Sequence, residues 1–185
     1  MKSMTDMTVA LHKIAPALVK TALFVLIFIA ACGMGLAQSL PPVHLDADGL
    51  APRPIEELTG TTVARHYALA WHDLAEALES GQADGLGDEF IGFAKDRLVQ
   101  RIGDQNKAGI HVRIVDHGHH LKAVFYSMDG TAMQLLDQAQ IEIQTFDGDK
   151  LLDTQNEPHE YLVLITPGAD RWYVRDLEEI SGKPF

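Results

Sequence analysis

The chain has 185 residues, 46% of them hydrophobic and 22% charged, with a net charge of −11 and one cysteine. These are ordinary globular proportions. The acidic excess repels phosphate backbones and argues against nucleic acid as a partner, and a lone cysteine excludes a framework of internal disulfides.

Residues 21–37, TALFVLIFIAACGMGLA, form the one long apolar run, and Lys2, Lys13 and Lys20 precede it. A basic start, a short apolar core and small residues at the end are the marks of a secretory signal. Three outcomes compete. Gly35, Leu36 and Ala37 before Gln38 put small residues where a signal peptidase cuts. Ile29-Ala30-Ala31-Cys32 resembles a bacterial lipobox, which would leave Cys32 lipidated at the new N-terminus. An uncleaved anchor needs ~20 apolar residues, slightly more than this run supplies. Each outcome carries the rest of the chain out of the cytoplasm, into a bacterial periplasm or medium, free or tethered to the membrane. Residues 38–55 then hold four prolines and no helical or strand period. They read as a stiff linker, although Val43, Leu45 and Leu50 would permit an ordered arm.

Residues 56–185 are enough for one domain with its own core. Pro54, Glu56 and Glu57 suit the start of a helix. Val63, Tyr67, Ala70, Trp71, Leu74 and Leu78 then recur at helical spacing as a single apolar stripe, and Gly81 closes the helix. Asp84 to Gly87 reads as a short turn or a one-turn helix. A second helix is expected from a cap at Asp88, with Phe90, Ile91, Ala94, Leu98 and Ile102 inward and an end at Gly103 or Gly109.

After Gly109 the period becomes two. Ile110, Val112 and Ile114 alternate with polar residues as a first strand. Asp116-His117-Gly118 reads as a tight turn, and 119–128 as the returning strand. Asp129-Gly130 signals a hairpin. Along 133–146, Ala139, Ile141 and Ile143 face one way and Gln138, Gln140, Glu142 and Gln144 the other. A loose connection from Asp147 leads to an almost wholly apolar strand over 159–166, expected to be covered on both faces, and a last strand spans 171–180. Helices first and strands after mean α+β: two to three N-terminal helices on a curved, mostly antiparallel sheet of about five strands. The long first helix with inward Tyr67 and Trp71, the second helix, and the hairpins ending in Trp172-Tyr173-Val174 are similar to the cone-shaped nuclear transport factor 2-like superfamily. That resemblance covers about residues 56–180. It implies a half-open cone with an apolar pocket between helices and sheet, in a group that contains isomerases, dehydratases and many non-catalytic binding or dimerisation modules.

Asp137 is the first candidate for chemistry. Its neighbours Leu135 and Ala139 aim it at the core, where a carboxylate could act as general base or acid. The resemblance implies a Tyr or His partner, with Tyr67, Tyr126, Tyr161 and His111 in view. The alternative is a bulge that turns Asp137 to solvent. Tyr67, Trp71, Phe125, Tyr126, Tyr161 and Trp172 are the candidates to line a pocket, and plain core positions otherwise. His117, His119 and His120, beside Asp116, could ligate zinc or copper, but His117 and His119 straddle Gly118, and a solvated hairpin tip is the plainer reading. No P-loop, dinucleotide fingerprint or nucleophile elbow is present, so no cofactor is expected. Two functions remain: an exported non-catalytic module that binds a small apolar ligand or a protein partner, with a homodimer through the polar sheet face as one form of partnership; or a small pocket enzyme that moves protons through Asp137.

Overall fold

The computed structural model describes residues 40–181. The run at 21–37 with Cys32, and with it the choice between cleavage, lipidation and anchoring, lies outside the described residues. Among the described residues no helix is long and apolar enough to cross a membrane.

Among the described residues nine elements follow one another: β1 (Val43–Asp46), α1 (Glu57–Ser80), a 3-10 turn (Asp84–Asp88), α2 (Gly92–Ala108), β2 (Ile110–Tyr126), β3 (Met133–Asp147), β4 (Lys150–Gln155), β5 (His159–Pro167) and β6 (Trp172–Ser181). The six strands form one sheet in the order β1-β2-β3-β5-β6, with β4 paired to the far end of β3. α1 runs the apolar stripe read from the sequence, burying Val63, Tyr67, Ala70, Trp71, Leu74 and Leu78. It stops at Gly81, whose left-handed backbone (φ 70°) closes the last turn. α2 buries Ala94, Leu98, Ile102 and Gln105 and packs on β6 and β2. The core therefore lies between two helices and the inner face of the sheet. β3 shows the expected alternation, with Leu135, Asp137, Ala139, Ile141 and Ile143 buried and Gln138 and Gln140 exposed.

Several expectations need correction. The stretch read as a linker contains β1, which pairs in parallel with β2 from Val43↔His119 to Asp46↔Lys122. Its apolar residues, Val43, Leu45 and Leu50, are partly buried against the core, and that burial outweighs the proline content. The sheet thus has six strands rather than about five; it is mostly antiparallel, as expected, and the parallel β1–β2 pair makes it mixed.

The turn expected at 116–118 is a bulge inside one continuous strand. The β2–β3 register slips between Asp116 and Gly118, leaving His117 as the extra residue. Gly118 has φ 130°, and a Cβ there would meet the Pro42 carbonyl oxygen and Cγ at 2.9 Å. Glycine is required because the first strand comes so close; the His119 N–H donates to that same Pro42 carbonyl at 2.9 Å. Asp88 does not cap α2 but ends the 3-10 turn. Phe90 instead bridges to Val174. Residues 150–155, expected as loop, form β4, and β5 alternates between buried and half-buried positions instead of being covered on both faces.

Candidate functional site

Asp137 reaches the interior as its alternation requires, and its side chain is fully buried. Its Oδ2 accepts two hydrogen bonds, from Tyr67 Oη at 2.7 Å and from His119 Nδ1 at 2.8 Å. The other imidazole nitrogen, Nε2, donates to Asp116 Oδ2 at 2.9 Å. Three elements supply this chain of groups: Tyr67 comes from α1, Asp116 and His119 from β2, and Asp137 from β3. The bulge makes it possible, because one extra residue lets Asp116 and His119 approach from the same strand.

Burial alone lowers the His119 pKa, but the hydrogen bonds to Asp116 and Asp137, and the charges behind them, outweigh it and raise it to about 9. The ring is therefore an imidazolium at neutral pH and donates from both nitrogens. Trp71 covers its face, with centroids 4.6 Å apart, and Tyr67 meets it edge-on at 5.4 Å, which suits a cation. Burial, and then the Asp137 charge, raises the Tyr67 phenol well above its ordinary range, so it stays a donor.

The histidines read as a metal cluster separate in space. His119 is committed to two carboxylates, His117 is exposed at the bulge, and His120 is exposed beside His44, with ring centroids 5.1 Å apart. Among the described residues no group of three or more His, Cys, Asp or Glu could hold a metal ion.

The open space lies elsewhere. A cleft of about 510 Å3 is lined by Arg97, Arg101, Gln105, Ile110, Val112 and Thr145, among others. A neighbouring one of about 270 Å3 has walls from Leu98, Arg101, Tyr161, Leu177 and Glu179. Both also include Arg97, so the two clefts adjoin beneath α2. Neither these clefts nor a third, of about 250 Å3 around His117 and Gln140, is lined by Asp137, His119 or Tyr67.

Of the aromatic residues expected in a pocket, Tyr161 lines one of these clefts. Tyr67, Trp71 and Tyr126 are core, Trp172 is partly buried against the core, and Phe125 is 42% exposed. Phe125 is displaced by a second register shift on β2, between Ala123 and Phe125, which turns its ring out of the core.

Tyr161 separates the cleft from the buried centre. It lies opposite Asp137 in the β3–β5 register, and its ring meets Trp71 at 5.3 Å. Its hydroxyl is buried without a hydrogen-bond partner, as is Oε1 of Gln105 in the larger cleft. Burial, then the Glu179 and Asp137 charges, pushes the Tyr161 phenol far up, against a smaller opposing effect from Arg101. Burial lowers the Arg101 guanidinium to about 10, with Tyr161 and Glu179 acting the other way.

His119, Asp116, Arg101 and Gln105 were not read as site residues in these roles. Gln105 was within reach: it continues the inward stripe 94, 98, 102, and a polar residue on a buried stripe is a signal in itself. Nothing local announces His119 as the partner of Asp137, since the bulge that places it resembles a turn.

No family model and no curated protein matches the sequence. Among solved structures, the intermembrane space region of the chloroplast protein ARC6 superposes with a TM-score of 0.58 at 12% identity, covering 71% of this chain and 100% of that one. A protein of the NTF2-like family from Streptomyces avermitilis aligns at 13% identity with a TM-score of 0.43, over 64% of this chain and 96% of its own. The superposition on the ARC6 region shows a shared α+β fold. ActVI-ORFA from Streptomyces coelicolor gives 11% identity and a TM-score of 0.45, with 67% of this chain and 99% of that one covered. Identities this low speak for shared fold, and fold leaves function open. Tyr67, Trp71, His119 and Asp137 are all buried, and the described clefts lie instead under α2.

Proposed function

We propose that this chain is an exported, non-catalytic module whose adjoining clefts beneath α2 hold a small organic ligand. The observation that carries the reading is a pair of buried polar atoms, Tyr161 Oη and Gln105 Oε1, that find no partner among the described residues and belong to side chains lining those clefts. Buried polar groups are nearly always hydrogen-bonded, and a ligand that carries polar groups into the clefts supplies the missing bonds. The larger cleft is also within the range of ~300–1,000 Å3 common for ligand sites. The Asp137 centre has the features of a structural ion-pair network: it is buried, Oδ2 accepts from Tyr67 and His119, and His119 also donates to Asp116, although Asp137 Oδ1 has no partner of its own. An acid–base role for Asp137 would require a substrate to reach it, and no described cleft includes it.

Ligand-observed NMR with a fragment library, on the wild-type chain and on Thr145→Trp, tests the reading. Thr145 lines the larger cleft, so the indole should displace the hits. Hits that persist in the variant, or a library with no hits, would remove the proposal. Export rests on the run at 21–37 and on the acidic composition behind it. Intact mass spectrometry of the protein from its host decides this part: a form beginning at Gln38 or a diacylglyceryl adduct on Cys32 supports it, and an unprocessed chain in the soluble cytosolic fraction refutes it.

A further inference from the structure

We propose that His44 and His120 form a surface site for a divalent transition-metal ion, of the copper or zinc class, that staples β1 to β2. The two residues are direct partners in the parallel β1–β2 register. Val43 and Leu45 pack against the core, and His119 and Leu121 are buried in it. Alternation along each strand therefore turns His44 and His120 onto the same outer face, where both are exposed. Their ring centroids are 5.1 Å apart. The pair is separate from the clefts beneath α2, whose linings include neither ring, and it stands independently of the ligand reading above.

That separation is the one a shared metal requires. An imidazole nitrogen binds zinc at about 2.0–2.1 Å and the ring centre lies about 1.1 Å behind it, so each centroid sits ~3.1 Å from the ion. Two such rings at a tetrahedral angle of about 109° have centroids ~5.1 Å apart, and at the angle of about 90° in a tetragonal copper site ~4.4 Å. The pair matches the first spacing as it stands and reaches the second by a small rotation of two exposed side chains. His66, His72, His119 and His159 each face a carboxylate, whereas His44 and His120 face each other. Neutral imidazole is the commonest metal ligand; it suits copper, zinc and nickel, with copper held tightest. Among the described residues no third His, Cys, Asp or Glu joins the pair, so water completes the coordination shell. The net charge of −11 favours the approach of a cation.

The position of β1 says what the ion would do. β1 is four residues long and lies at the edge of the sheet beside β2. Short edge elements with few buried contacts open most readily. An ion held by one ring from each strand opposes that opening, because it binds the paired strands and not the separated ones.

Electron paramagnetic resonance and isothermal titration of the full chain with Cu2+ test the site, on wild type, His44→Gln, His120→Gln and His111→Gln. Wild type should take up one Cu2+ with two imidazole nitrogens in its equatorial plane. His44→Gln and His120→Gln should each weaken that binding about tenfold or more and remove the two-nitrogen signature. His111→Gln should change neither, since His111 lies nine residues back on β2, about 30 Å along the strand. Hydrogen exchange read by mass spectrometry reports the staple: saturating Cu2+ should slow the amides of Val43–Asp46 about tenfold in wild type and leave them unchanged in His44→Gln and His120→Gln. Copper binding that survives both substitutions marks an adventitious ion only and overturns the site. Exchange over β1 that wild type shows unaltered with the ion bound overturns the staple.

Discussion

Asp137→Asn should destabilise the protein in a way that fades as pH rises. His119 carries the reason. Its unfolded pKa is about 6.5, and in the fold Asp116 and Asp137 hold it at about 9. That gap of about 2.5 pH units corresponds to about 3 kcal/mol of stability. Because the folded pKa is the higher one, the contribution is complete below pH ~6.5 and is lost as pH rises through ~9. The wild-type unfolding free energy should therefore fall by about 3 kcal/mol between pH 6 and pH 9, a large share of a typical total of about 5–15 kcal/mol.

Asn at 137 still offers an oxygen to Tyr67 but no charge to His119. At pH 6 the variant should lose about 1–2 kcal/mol, a part of that total, since Asp116 remains as a partner of the ring. Near pH 9 about half of the wild-type imidazole is neutral, most of its contribution to stability is gone, and the two curves should approach one another. Urea denaturation of wild type and variant at four pH values measures this, and NMR titration of the His119 ring supplies the midpoint, which should drop in the variant. A wild-type stability flat from pH 6 to 9, or a deficit in the variant equal at both ends, would refute the assignment of an imidazolium held by two carboxylates.

Gly118→Ala should cost about 1–3 kcal/mol, because a side chain at φ 130° would also press on Pro42; hydrogen exchange should quicken over Val43–Asp46 as β1 loosens. Leu74→Ala empties a fully buried position on α1 and should cost about 2–5 kcal/mol, lowering the melting temperature by roughly 5–15 °C. Tyr161→Phe should leave thermal stability unchanged or raise it by about 1 kcal/mol, since it removes a buried hydroxyl with no partner. A clear loss there would mean that the hydroxyl is satisfied in the free protein, and would weaken the case for the cleft.

The elements that could be read from residue order are those whose signal is periodic. α1 follows from one stripe repeated over about four turns, and β3 from strict alternation, which aims Asp137 inward unless a bulge intervenes. The resemblance to NTF2-like folds rested on that same order of helices and hairpins. What went astray was local and aperiodic. A bulge with glycine and a tight turn with glycine look alike in sequence, so one strand was read as two. β1 and β4 are four and six residues long, too short to show a period against prolines and charges.

Residue order alone thus placed the helices, the direction of each buried face, the inward Asp137 and the apolar run at 21–37. Periodicity encodes which face of an element avoids water, and that is a property of neighbours in the chain. The partners of Asp137 depend on residues 18 and 70 positions away. They meet because a one-residue bulge shifts β2 against β3 and because Pro42, the residue before β1, holds that bulge through the His119 N–H. The charge on His119, and the orphaned hydroxyl of Tyr161 on the other side of Trp71, exist only once those elements have packed. Ionisation and hydrogen-bond satisfaction are set by what surrounds a group in space, and tertiary packing alone provides that.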